Sequence, residues 1–166
     1  MPHSLADRFR RLFEFERFAH ARVFASLDGV PADRRDGAEF RRAVDIMGHV
    51  VLARRIWLSR LGSGPAPTGK LFPENANLED VRADWAETER RSLAYLATLK
   101  EDDLDRIVDY KTTDGTPHRD TVEDLLTQLS GHSPYHRGQI AMLVRASGGT
   151  SAATDFIHWL RSSPPG

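Results

Sequence analysis

The chain has no cysteine, which excludes a disulfide scaffold, a zinc ribbon and a cysteine nucleophile, and is compatible with a reducing cytosol. It also lacks a glycine-rich phosphate loop and a GxSxG elbow, so the nucleotide-binding and serine-hydrolase signatures are missing. Charge of one sign is not in excess either. With 23 basic and 24 acidic side chains the formal net charge is −1, too little to draw nucleic acid or an anionic membrane to the surface. No apolar run approaches the roughly 18 residues of a membrane span. The opening stretch MPHSLADRFRRLFEFERF is charged throughout and has no apolar centre of the kind a secretory signal needs. The expectation is a cytoplasmic protein whose partners are neither nucleic acid nor membrane.

At 166 residues the chain fits one domain, 1–166, able to bury about 70% of its unfolded surface without help from disulfides or a structural metal. Leu5, Phe9, Leu12, Phe13, Phe18, Val23, Phe24 and Leu27 recur at three- and four-residue steps, which predicts an amphipathic helix from Ser4 to Leu27. Asp28-Gly29-Val30-Pro31 ends it. A second helix is predicted from Phe40 to Leu61, closed by the Gly/Pro run that starts at Gly62. The connection from there to Asn77 is long for antiparallel neighbours, and predicts a crossover that sets helices two and three parallel. Helix three reads from Leu78 to Leu99, with Asn77 as N-cap and Asp80 at N3. Alternation at Ile107, Val108 and Tyr110 before Asp114-Gly115 predicts a hairpin between Asp105 and His118. Asp120-Thr121-Val122-Glu123 reads as a capping box with Glu at N3, opening a fourth helix that stops at Gly148-Gly149. A short helix from Thr154 to Leu160 is expected to pack Phe156, Ile157 and Trp159 on the bundle, ahead of a mobile tail at 162–166. The predicted fold is all-α: a four-helix bundle, up-down-down-up, with a short β-hairpin before helix four and a short C-terminal helix.

Two histidines, His132 and His136, stand four residues apart on the apolar stripe of the predicted fourth helix, where i and i+4 share a face. Seven histidines in 166 residues produce roughly 0.3 such pairs by chance, so the pair alone is weak evidence. His49 lies on the inward stripe of helix two with Leu52, Ala53 and Ile56. Three imidazoles thus point at one core from two helices. Left without partners they would each cost about 1–3 kcal/mol, a cost removed either by a metal ion or by hydrogen bonds in the core. Pro134 between His132 and His136 frees the Ser130 carbonyl and is expected to bend the helix.

Around those residues the chain resembles a known family. His132-Ser133-Pro134-Tyr135-His136-Arg137-Gly138-Gln139 is similar to the HxxxHRGQ signature of the DinB/YfiT-like superfamily of candidate metalloenzymes. His49 with Arg55-Ile56-Trp57-Leu58-Ser59-Arg60-Leu61 resembles the family's helix-two ligand and its RIWLxRL pattern. Weaker matches are Phe18 to Leu27 and Asp155-Phe156-Ile157. The resemblance implies a bundle of the topology deduced above and a divalent metal held by His49, His132 and His136. It also implies a homodimer, and a small thiol as co-substrate, as in related branches that carry out transfer or isomerisation. Zinc or nickel suits the donor set first, iron or cobalt next.

Several residues have two readings. Relatives often carry a further histidine where this chain has Gln128, an amide that cannot titrate. His20, in line with Phe13, Phe24 and Leu27, is either a fourth ligand or acid/base group, or a satisfied core histidine. Asp45 either orients His49 or is a solvated carboxylate. Gln139 and Asp155 are supporting partners of the ligands on the resemblance alone. Arg137 is a candidate anchor for an anionic substrate group, with Arg54, Arg55 and Arg60 as alternatives. His3, His118 and His158 read as surface residues.

Three neutral imidazoles would leave a bound ion its full charge and an open position, the pattern of a catalytic site. The expected function is a metal-dependent enzyme, possessing a thiol-dependent S-transferase or isomerase activity on a small electrophile. The alternatives are a metal-dependent hydrolase and a non-catalytic metal-binding stress or interaction protein.

Overall fold

A computed structural model describes residues 4–162; His3 and the tail at 163–166 lie outside the described residues. The Ser4 hydroxyl accepts the Asp7 amide and opens α1, Leu5–Asp28. Helix α2 runs Ala38–Arg60 and α3 runs Leu78–Thr98, its N-cap Asn77 accepting the amides of Glu79 and Asp80. Strands β1, Ile107–Lys111, and β2, Pro117–Thr121, pair antiparallel with Ile107 opposite Thr121. Helix α4, Val122–Ala146, begins where β2 ends and continues unbroken through Pro134. A last helix, α5, spans Phe156–Ser162. The α4 capping box pairs Thr121 with Asp124. The acidic N3 residue is thus Asp124 rather than Glu123, because the strand holds Thr121 in the extended N-cap conformation.

Helix directions follow from who touches whom. Along α1 and α3 the partners run in opposite senses: Arg10 donates to the Leu96 carbonyl, Arg17 to Glu89 and Arg82 to Asp28. Along α2 and α3 they run in the same sense, since Gly48 lies against Val81 and Arg55 pairs with Asp84. Glu16 meets Ser133, and Phe9 and Phe13 line one small cavity with Leu126 and Leu129, so α1 and α4 are parallel. The bundle is therefore up-down-down-up, as the long connection predicted. Each of α1 and α2 packs between α3 and α4.

At Gly48, α2 lies directly against the crossover. A Cβ there would meet Pro73, Val81 and Ala76 at 3.4–3.7 Å, so a side chain longer than alanine's would displace the connection. Phe15 is covered from outside by Phe156 and Trp159 of α5, with ring centroids 5.1 and 6.0 Å away. Ile157, expected to pack inward, is 46% exposed. The short helix has only one apolar side to bury. No described helix is long and apolar enough to cross a membrane.

Candidate metal centre

His49 on α2 is buried, while His132 and His136 on α4 are half-buried. Their rings meet at the antiparallel α2–α4 contact. His132 Nε2 lies 3.2 Å from His49 Nε2 and 3.1 Å from His136 Nε2, and all three donor atoms lie within 4.8 Å of one another. Positions i and i+4 of one helix supply two rings, and the facing helix supplies the third.

The far nitrogens determine what the near ones can do. His49 Nδ1–H donates to the Leu71 carbonyl at 2.7 Å, and His136 Nδ1–H donates to Gln139 Oε1 at 2.8 Å. In their neutral forms both rings therefore present a bare lone pair at Nε2. His132 Nε2 faces both lone pairs and can donate to only one. A shared cation would satisfy all three nitrogens. Tetrahedral Zn–N bonds of about 2.0–2.1 Å place ligand nitrogens about 3.3 Å apart, close to the separations seen here, and outer partners that fix the tautomer are what ligating histidines usually have. Burial, followed by the neighbouring His136 and His49, pushes the His132 imidazole down to about 4. Burial likewise lowers His49, opposed by the Leu71 carbonyl. The site thus favours the uncharged, coordinating form of both rings.

Beside the rings lies a cavity of about 260 Å³ lined by His49, His136 and Gln139, with Ile46, Phe72 and Tyr135 as its apolar lining. Phe72 stacks on His49 with centroids 4.3 Å apart and planes at 8°, and Tyr135 meets His136 edge-on at 5.0 Å. Phe72 and Tyr135 are 55% and 68% exposed. Sequence patterning does not reveal Leu71 and Phe72, because they sit in an irregular connection with no period. Tyr135 carries a signal in retrospect, as an aromatic on the polar side of α4 between the two histidines.

Other predicted residues lie elsewhere. Asp45 is buried and does not orient His49; its Oδ1 accepts the Ala76 amide at 2.8 Å and ties the crossover to α2. Asp155 is exposed, and its carboxylate faces His158 rather than the three rings. Arg137 is 4% exposed and lies over the Phe15 ring, 5.1 Å from its centroid, with Nε and Nη1 unpartnered. It does not line the cavity. Arg55 pairs with Asp84, and Arg60 covers Trp57 and Tyr110. Gln128, His118 and His158 are exposed.

Behind the histidines sits a buried polar cluster that the sequence reading passed over. Glu16 on α1 accepts from Arg54 on α2 through both oxygens, and from the Ser133 hydroxyl on α4 at 2.6 Å. The signal was a carboxylate on the apolar stripe of Phe9, Phe13 and Val23. Burial would raise the Glu16 carboxyl, but Arg54, His20 and the hydrogen bonds from Arg54 and Ser133 hold it below the ordinary value. His20 is fully buried, with both ring nitrogens unpartnered and its ring edge-on to Trp85 at 4.3 Å. It is neither one of the three convergent rings nor a satisfied core histidine. Burial pushes it down to about 3, against the pull of Glu16.

An acid-sensitive fold follows. An unfolded His20 binds its proton near pH 6.5, whereas the folded one resists until about 3. Stability is then full above pH 6.5 and falls as pH drops below it, with a slope approaching about 1.4 kcal/mol per pH unit. His132 acts in the same direction, more weakly because solvent reaches it. Melts of chelator-treated protein between pH 7.5 and 4.5 should show this decline, and His20→Leu should flatten it. A level profile between pH 7 and 5 would refute a neutral buried His20.

The family model described as DinB family matches residues 1–165. Protein DinB of Bacillus subtilis (strain 168) is 23% identical over 164 residues, covering 94% of this chain and 95% of that protein. The crystal structure of a DinB-like protein from Bacillus cereus ATCC 10987 superposes with a TM-score of 0.63 at 18% identity, covering 86% of this chain and 94% of that one. That likeness supports the fold.

Proposed function

The chain belongs to the DinB family, and from that premise we propose that it binds a divalent metal through His49, His132 and His136 and uses it as an enzyme. The reaction we propose is thiol-dependent transfer or isomerisation of a small electrophile. The observation that carries the reading is the convergence of three Nε2 atoms, two of them on rings whose Nδ1–H groups are already spent on Leu71 and Gln139. When bound, a divalent ion supplies a positive charge able to hold a thiol, ordinarily of pKa about 8.5, as its thiolate.

The chain's own residues do the rest. The Leu71 carbonyl and Gln139 hold two rings in register, and Phe72 and Tyr135 pack against His49 and His136 and supply apolar lining to the cavity. Zinc and nickel are the ions we favour for a site of three imidazoles. A second reading has one specific support: the three rings come from two helices, so an ion there joins α2 to α4 and serves stability without turnover.

One experiment separates the two readings. Protein purified without affinity histidines is loaded with one equivalent of zinc or nickel and mixed with a small thiol and monochlorobimane. The expected result is metal-dependent conjugation, lost with chelator and restored by metal. Stoichiometric metal with a raised melting temperature, but no acceleration for any thiol, selects the non-catalytic reading. Failure to retain one ion per chain overturns both.

A further inference from the structure

We propose that the cavity beside the three histidines selects ligands carrying an anionic group, a carboxylate in the simplest case, and that Arg42 is the residue that takes it. The inference rests on the reading above and names the substrate class for that site.

Arg42 precedes His49 by seven residues on α2. Two helical turns separate them, about 10 Å along the axis, so both look out from the same face. Arg42 lines the same cavity as His49 and His136, and the helical rise sets it well away from the imidazoles along α2. Ile46 lies between them, and Phe72 and Tyr135 wall the space. A ligand filling it would have its reacting atom at the histidines, an apolar body against Ile46, Phe72 and Tyr135, and its far end at a guanidinium.

The state of that guanidinium decides what the far end must be. Arg17, Arg55 and Arg82 are held by Glu89, Asp84 and Asp28, whereas Arg42 makes no ion pair or side-chain hydrogen bond among the described residues. The carboxylate one turn on, Asp45, also lines the cavity but is anchored by the Ala76 amide and forms no ion pair with Arg42. Exposed Arg42 thus lines the cavity with its planar five-donor fork unengaged among the described residues, a geometry matched by carboxylates and phosphates. A neutral ligand would leave the fork to water; an anionic one would pair it.

The test uses cobalt(II)-loaded protein titrated with 4-(mercaptomethyl)benzoate and its uncharged counterpart 4-(mercaptomethyl)benzamide, read by the thiolate-to-cobalt absorption band. The acid should bind about tenfold more tightly than the amide, the size expected of a partly exposed charge-assisted pair. Arg42→Gln should bring the two within about twofold, while Arg41→Gln, which removes the same charge from an exposed neighbour outside the cavity, should leave the preference intact. Equal binding of acid and amide to the parent overturns the proposal. So does a preference that survives Arg42→Gln, since it would belong to the metal ion, or one lost equally in Arg41→Gln, since it would belong to net charge. The same comparison by calorimetry on metal-free protein reads the Arg42 end alone. No absorption band together with a retained acid preference condemns the three-histidine reading and leaves Arg42 standing; a band without any preference does the reverse.

Discussion

Replacing His132 with alanine should strip the protein of stoichiometric metal while leaving its helices in place. His132 Nε2 is the shared vertex of the two short separations, 3.2 Å to His49 and 3.1 Å to His136, so its loss leaves two donors on opposite helices with nothing between them. Zinc binding by four-ligand peptide sites is worth about 10–16 kcal/mol, or about 2.5–4 kcal/mol per ligand, which corresponds to roughly 60- to 700-fold in affinity. Alanine is the best helix former, and the residue is half-buried in the middle of α4, so the helix itself should persist. Gln139→Leu should cost less, about 10- to 100-fold, because it removes only the acceptor that holds the His136 ring. Titration against a chromophoric chelator measures both. A His132→Ala protein that keeps one ion per chain with affinity within tenfold of the parent would end the assignment.

Glu16→Ala should be the most destabilising single substitution among the buried polar groups. Glu16 and Arg54 are both 5% exposed, and the carboxylate also receives the Ser133 hydroxyl. Truncation strands the Arg54 guanidinium, with the equally buried Arg137 already short of partners. Breaking a buried pair from one side costs about 3–5 kcal/mol, which in a domain of this size lowers the melting temperature by about 6–20 °C. The double variant Glu16→Met/Arg54→Met should recover most of the loss, because an apolar replacement of a whole buried pair is often neutral or better. Thermal melts of both proteins decide it. If Glu16→Ala melts within about 2 °C of the parent, the pair does not support the fold. Because Ser133 adjoins His132, the same carboxylate also steadies the turn of α4 that carries two of the three rings.

Much of this architecture was readable from spacing. The apolar stripes of α1, α3 and α4 survive because each buries mainly one face, α2 being buried on all sides from Ala43 to Val51, and the predicted helix ends fall within a few residues of the observed ones. Asn77 and the Asp114-Gly115 turn behaved as their local chemistry required. The convergence of His49 with His132 and His136 was legible for the same reason, all three lying on stripes that had to face inward. What escaped notice depends on tertiary partners. Asp45 looks like a solvated helix carboxylate until the crossover folds back and offers the Ala76 amide. Leu71 reaches His49 with a backbone carbonyl, for which side-chain identity carries no information. Arg137 belonged to a matched motif, but its place beneath α5 depends on how the last short helix docks over Phe15.

His49 and His132 are separated by 83 positions along the chain, with the crossover, α3 and the hairpin all lying between them. An ion gripped by both would close that span into a ring, and closing a ring of such length removes conformational freedom from the unfolded chain worth about 4.5 kcal/mol in the chain-entropy account. A polypeptide without a single cysteine would thereby possess the counterpart of a long-range disulfide, one opened by a chelator instead of a reductant.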